Sequence, residues 1–148
     1  MPLQERLMED LKEALRQQDK RRVSTIRLLR AAIQNEEIAR REPLEEGDLL
    51  NVVARQVRQR QESIAEFKRG NRPDLVEQEE AELAILRTYL PQQLTLEELS
   101  DLARRAIAEV AARGPQDKGK VMGRLMPQVK GKAEGALVNR VVTQLLGG

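Results

Sequence analysis

The stretch DKGKVMGRLMPQVKGKAEGALVN, Asp117 to Asn139, sets a helix, a proline, a glycine-centred turn and the start of a second helix in one line. At about 100° per residue, Val121, Met122, Leu125, Met126 and Val129 share one arc, and Lys120 and Arg124 project from the opposite side. Asp117 is placed to cap this helix. Pro127 lacks the amide that would bond the Gly123 carbonyl, so the helix should end or kink near Met126. Lys130-Gly131-Lys132 then forms a turn, and a last helix from about Glu134 buries Leu137, Val138, Val141, Val142 and Leu145, with Asn139 and Arg140 looking outward. No segment of the chain alternates with the period of two that a half-buried strand requires, so the fold class is all-α.

Working back from this stretch, Leu3, Leu7, Leu11 and Leu15 recur every four residues among charged ones, the stripe of an amphipathic helix that ends near Gln18. Asp19 can cap a second helix with Val23, Ile26, Leu29 and Ile33 inward and Arg21, Arg22, Arg27 and Arg30 on its other face, fading at Arg41 to Pro43. Glu45, Glu46 and Asp48 suit the positive end of a third helix, striped by Leu49, Val53, Val57, Ile64 and Phe67. The seven-residue gap between Val57 and Ile64 places Arg60 or Gln61 near the buried edge, a setting that suits an arginine with its stem buried and its head exposed. Pro73 opens a fourth helix, faced by Val76, Leu83, Leu86 and Leu90 and ended by Pro91. Thr95 and Glu98 have capping-box spacing and start a fifth, with Leu99, Leu102, Ala106, Ile107 and Val110 inward and Gly114-Pro115 closing it.

The break LPQQL, Leu90 to Leu94, divides the chain. The expectation is an N-terminal four-helix domain over residues 1–93 and a small C-terminal three-helix bundle over 94–148. A unit as small as the second is marginal alone. From Gly114 onward there are six basic residues against two acidic ones, a charge of +4 that leaves −2 for the rest of a chain whose net charge is +2. The positive excess is therefore C-terminal and suits an acidic partner.

Composition removes much chemistry. With no cysteine and no histidine, disulfides, Cys/His zinc sites, thiol catalysis and histidine-dependent triads are excluded. Only Phe67 and Tyr89 are aromatic, so base-stacking platforms are not expected. The adjacent pairs Glu36/Glu37, Glu45/Glu46 and Glu79/Glu80 read as solvated helix faces, and no catalytic residue, metal site or cofactor is expected. No apolar run approaches the ~20 residues of a membrane span, which leads to the expectation of a soluble cytoplasmic protein.

The candidate site is the basic tail itself: Lys118, Lys120, Arg124, Lys130, Lys132 and Arg140. Gly119 and Gly123 sit four apart inside a helix, where each costs roughly 1 kcal/mol relative to alanine. Either a neighbouring helix or an outside partner approaches the backbone there. Two lysines flanking Gly131 can reach phosphate oxygens as point charges, or stand as ordinary surface lysines on a solvated loop.

GKVMGRLMP (119–127), followed closely by KGKAEG (130–135) and VN (138–139), resembles the YqeY family and the related tail domain of the B subunit of the glutamine-dependent aspartyl/glutamyl-tRNA amidotransferase. STIRLLRAAIQNEEI (24–38), RQRQESI (58–64) and EEAELAILRTYLPQQL (79–94) resemble helices of YqeY itself, so the likeness runs over nearly the whole chain. It implies a helical N-terminal domain followed by a three-helix C-terminal one. In the amidotransferase the tail contacts tRNA. Carried over by position, Lys118, Lys120, Arg124, Lys130 and Lys132 would face RNA, with Gly119, Gly123 and Gly131 shaping the surface. One departure is Glu134, where related sequences often have aspartate, the better N-cap.

The expected function is thus non-catalytic binding of tRNA, or of a tRNA-handling enzyme, through the basic C-terminal surface, in connection with tRNA-dependent amidotransfer. One alternative is carbon–nitrogen ligase activity with glutamine as amide donor, dependent on other subunits because this chain has no amidase-like Ser and Lys signature and no P-loop. The other alternative is a protein-interaction scaffold.

Overall fold

The computed structural model describes residues 1–147. Seven α-helices run through them: α1 (Leu3–Arg16), α2 (Lys20–Arg40), α3 (Glu46–Arg69), α4 (Pro73–Arg87), α5 (Leu96–Glu109), α6 (Lys118–Val129) and α7 (Gly135–Leu145), with a 3-10 turn at Pro115–Asp117. No strand occurs among the described residues. Contacts cluster into two units, Met1–Leu90 and Pro91–Gly148.

In the first unit the α1 stripe drifts. Four residues advance the helix by about 40° beyond a full turn, so Leu3, Leu7 and Leu11 are buried while Leu15 rotates out to 48% exposure and Ala14 takes the inner position. The Asp19 side chain accepts from the Arg22 amide at 3.1 Å, capping α2 as the sequence predicts. At the far end, Arg41 adopts φ 59° and closes the helix. Ile26, Leu29 and Ile33 join Leu49, Val53, Val57, Ile64, Leu83 and Leu86 in one aliphatic core.

Two details differ from the sequence reading of α3 and α4. The Arg60 guanidinium is not exposed: its Nη1 lies 3.2 Å from Glu79 and 3.4 Å from Glu82, and its side chain retains 19% exposure. Glu79 is correspondingly turned inward at 13%, whereas Glu80, about 100° further round α4, stays out at 55%. A bridge that leaves both carboxylates mostly desolvated fixes α3 against α4 in one register, because breaking it would strand buried charge.

α4 also stops at Arg87, short of Pro91. The next three amides bond back three residues, to Ile85, Leu86 and Arg87, and this tighter turn brings Tyr89 inward to 3% exposure. The Tyr89 hydroxyl donates to Asp10 at 2.6 Å, and Arg6 lies over its ring at 4.8 Å. Burial first, and then the bond to Asp10, push the phenol well above the usual tyrosine range.

In the second unit Thr95 and Glu98 form the capping box in both directions, at 3.1 and 3.0 Å. The Thr95 amide, followed by its hydroxyl, holds the Glu98 carboxyl below its ordinary value. α5 ends at Glu109, earlier than Gly114-Pro115, because Ala111 takes φ 53° and turns the chain out of the helix. Leu99, Ala103, Ala106, Val121, Leu125, Val129, Val138, Val141 and Val142 make the core.

Candidate nucleic-acid interface

α6 is built as the arc requires, with Val121, Leu125 and Val129 fully buried and Met122 and Met126 packed at the edge. It runs through Pro127 to Val129, rather than ending at Met126. The proline ring and the Gly123 carbonyl it deprives of a donor both lie on the exposed side, where widening of the helix displaces nothing and water can serve the oxygen. Asp117 does not cap through its side chain. Its carboxylate instead accepts from the Arg113 amide at 2.9 Å and stands 3.9 Å from Lys120.

Gly119, Gly123 and Pro127 form an exposed row on the side of α6 opposite its buried residues. A Cβ added at Gly119 or Gly123 would meet nothing within 4 Å. No neighbouring helix therefore requires these glycines, which removes one of the two explanations left open by the sequence. Lys120 and Arg124 flank the row, with side chains 72% and 56% exposed.

Three of the six cations, Lys118, Lys120 and Arg124, each face a polar or acidic group. Lys118 donates to Asn139 Oδ1 on α7 at 2.7 Å. Lys120 faces Asp117, and Arg124 bonds Glu109 at the end of α5. Lys130, Lys132 and Arg140 are exposed; no partner is recorded for the Lys132 or Arg140 side chain among the described residues. Lys118 is thus tied to α7 through Asn139, while Lys120 and Arg124 stay with the glycine row.

Gly131 is buried with φ 80°, the conformation that favours glycine, and its carbonyl accepts from Gln93 at 2.8 Å. The Leu94 amide donates to the Lys132 carbonyl at 2.8 Å. The Lys-Gly-Lys turn is thus held by the segment that leads into α5, not left as a free loop. Sequence reasoning missed Glu109 and Gln93, whose partners lie 15 and 38 residues away. It also left Arg105 and Arg113 out of the basic tail by counting from Gly114, although both are exposed in the same unit.

The chain is all-α, and its second unit presents an exposed glycine row beside two cations. The family model described as Yqey-like protein matches residues 4–146, and the chain belongs to the YqeY family. It is similar to "Altered inheritance of mitochondria protein 41, mitochondrial" of Pyrenophora tritici-repentis, 32% identical over 96% of this chain and 80% of that protein. Proteins of the same name from Lachancea thermotolerans and Eremothecium gossypii are 44% and 38% identical over 58% and 69% of this chain. The matches span 46% and 56% of those two relatives, about half their length.

These names correct the cytoplasmic expectation, since each of the three relatives is named as mitochondrial. That expectation rested on the want of a membrane span. No helix among the described residues is long and apolar enough to cross a membrane, but such a lack is equally compatible with the interior of an organelle.

Proposed function

We propose that the C-terminal unit is an RNA-binding module, with tRNA as the RNA, and that it works without catalysis in connection with tRNA-dependent amidotransfer. The two units act as separate domains, one of four helices and one of three, the second resembling the amidotransferase tail. The observation that carries the reading is the bare glycine row on α6 flanked by Lys120 and Arg124. Two helix-weakening residues that no internal contact explains are accounted for by a backbone that must come close from outside. A phosphate backbone is the partner that matches the flanking charge. Lys118, Lys130, Lys132 and Arg140 extend the positive surface, while Gly131 holds the turn that presents its two lysines. The Gly123 carbonyl, lacking its donor at Pro127, is an acceptor for a ribose 2′-hydroxyl. Both aromatic residues fall in the first unit, so recognition rests on shape and charge rather than stacking.

The test is salt dependence. With about five phosphate contacts, log K against log salt should fall with a slope near −3.5 to −4.5 in titrations with bulk tRNA. A flat slope, or no binding at 50 mM salt, overturns the reading. Replacing Gly119 and Gly123 together by alanine separates function from fold. Nothing within 4 Å obstructs either Cβ, so thermal stability should rise, by up to about 1 kcal/mol per site. Affinity for tRNA should drop by about tenfold or more as the approach is blocked. Greater stability with undiminished affinity would mean that the glycines play no part in binding.

A further inference from the structure

The rotation that turns Leu15 out of the α1 core places it beside a basic stretch of the first unit. Residues 20–30, the first three turns of α2, carry five basic side chains and no acidic one. Arg22 is paired with Asp10. Lys20, Arg21 and Arg27 are exposed and have no ion pair among the described residues. At 100° per residue, Lys20, Ser24 and Arg27 lie within about 60° of one another on α2, and Leu28 lies about 40° beyond Ser24. Leu15, Val23 and Leu28 line one open groove of about 640 Å³ with Lys20, Ser24 and Arg27, and no carboxylate lines it. Leu15 and Leu28 are 48% and 50% exposed.

The acids closest in sequence are occupied: Asp19 accepts from the Arg22 amide and Glu13 from the Gln17 side chain. Past Arg27 the surface changes, because the adjoining groove is lined by Glu5, Glu9 and Glu37 as well as by Arg27 and Arg30. Glu9 and Glu37 stand six and nine residues from Leu15 and Leu28, about 9 and 14 Å further along their helices from the α1/α2 turn. The basic and apolar patch is therefore confined to the tip of the hairpin.

We infer that this tip rests on an anionic phospholipid bilayer, with Leu15 and Leu28 entering the boundary between headgroups and acyl chains and Lys20, Arg21 and Arg27 at the lipid phosphates. A cluster of basic residues on one helix suits an anionic leaflet, and leucines beside them supply the apolar part of interfacial binding. Long lysine and arginine stems let the charges reach the phosphates while the leucines sit deeper. RNA would satisfy the cations but leave two half-exposed leucines in water. An acidic protein helix laid along the hairpin would run on into Glu5, Glu9 and Glu37, which repel it, whereas a bilayer met at the tip stays clear of them. The contact is interfacial rather than spanning, no helix among the described residues being long and apolar enough to cross a membrane. It is separate from the proposed RNA-binding surface, and either can fail without the other.

The full chain is sedimented with vesicles of phosphatidylcholine mixed with phosphatidylglycerol, and with vesicles of phosphatidylcholine alone. It should pellet with the first and not with the second, and less as salt rises. Each lysine or arginine near an anionic surface contributes about fivefold to binding, so Lys20→Glu with Arg27→Glu should weaken it by roughly 25-fold or more. Arg58→Glu with Arg69→Glu, an equal change of charge on α3, should leave it nearly unchanged. The chain has no tryptophan, so Leu28→Trp provides a single reporter of depth. Its emission should shift to the blue on anionic vesicles and be quenched by brominated acyl chains, with melting unchanged in every variant. Failure to pellet, equal binding to both vesicles, or a Leu28→Trp emission that lipid does not alter overturns the proposal. So does a loss of tRNA affinity in Lys20→Glu/Arg27→Glu without any vesicle binding by the parent chain, which would assign the patch to RNA. A dimer that Leu28→Gln dissolves would likewise overturn it, since a second copy would then cover the leucines.

Discussion

Replacing Lys120 and Arg124 together by glutamate is expected to abolish tRNA binding while leaving the protein folded. Both side chains are more than half exposed, and their pairs with Asp117 and Glu109 are surface ion pairs, worth ~0–1 kcal/mol each. Neither side chain contributes to the core, and a glutamate at position 120, in the first turn of α6, suits the helix macrodipole. Melting should shift by little. The binding effect is far larger. Two charge-assisted contacts to phosphate contribute about 1.5–3 kcal/mol each, and reversing their sign adds repulsion, so affinity should fall by roughly 100-fold or more. The salt slope should shrink by about 1.4 to 1.8, the share of two phosphates.

A matched control separates a site from net charge. Arg58 and Arg69 lie on α3 in the other unit, 46% and 67% exposed. Reversing both changes the total charge equally but should leave the slope nearly unchanged. If this control weakens binding as much as the α6 pair does, the attraction is diffuse and the glycine row is not its centre. The native acids compete with any phosphate, because Glu109 already occupies Arg124 and Asp117 faces Lys120. On the proposed reading RNA would draw Lys120 and Arg124 away from these acids, and the exposure of the two cationic side chains makes that exchange inexpensive.

The fold was largely legible because its helices are specified by local chemistry. Asp19, Pro73 and the Thr95/Glu98 box announce their helix starts, and the arc from Val121 to Val129 is buried as its spacing dictates. Helix ends were read less well. Ala111 turns the chain out of α5 and Thr88 to Leu90 tighten the end of α4, and neither residue type signals this alone. Pro127 misled in the opposite direction, since its consequence depends on whether the Gly123 carbonyl faces solvent or protein. At the site, the cations and glycines stood out by composition. What Lys118, Arg124 and Gly131 touch depended on Asn139, Glu109 and Gln93, which only the tertiary fold brings near. Arg60 shows the same limit: its position near a buried edge was readable, whereas the two α4 carboxylates that enclose it were not.

Leu125→Asp is expected to unfold the C-terminal unit. Leu125 is fully buried among Leu99, Val121, Val129, Val138 and Val142. Removing the leucine side chain alone costs about 3–5 kcal/mol, and an unpaired carboxylate in its place adds several more. A unit of this size has little stability in reserve. Helical circular dichroism should lose the share contributed by α5, α6 and α7. Tyr89 is the only tyrosine in the chain and lies in the first unit, so its near-ultraviolet signal reports that unit separately and should persist. Loss of both signals in one transition would sink the proposal of two domains. Acid provides a further check. Burial would raise the introduced carboxyl above its unfolded value near 3.9. Its penalty is therefore absent below that value and grows as pH rises through the folded one. Helicity of Leu125→Asp should partly recover toward pH 4, whereas Leu125→Asn, equally polar but without a titrating group, should show no such recovery. Equal behaviour of the two variants would mean that lost packing, rather than buried charge, governs the collapse.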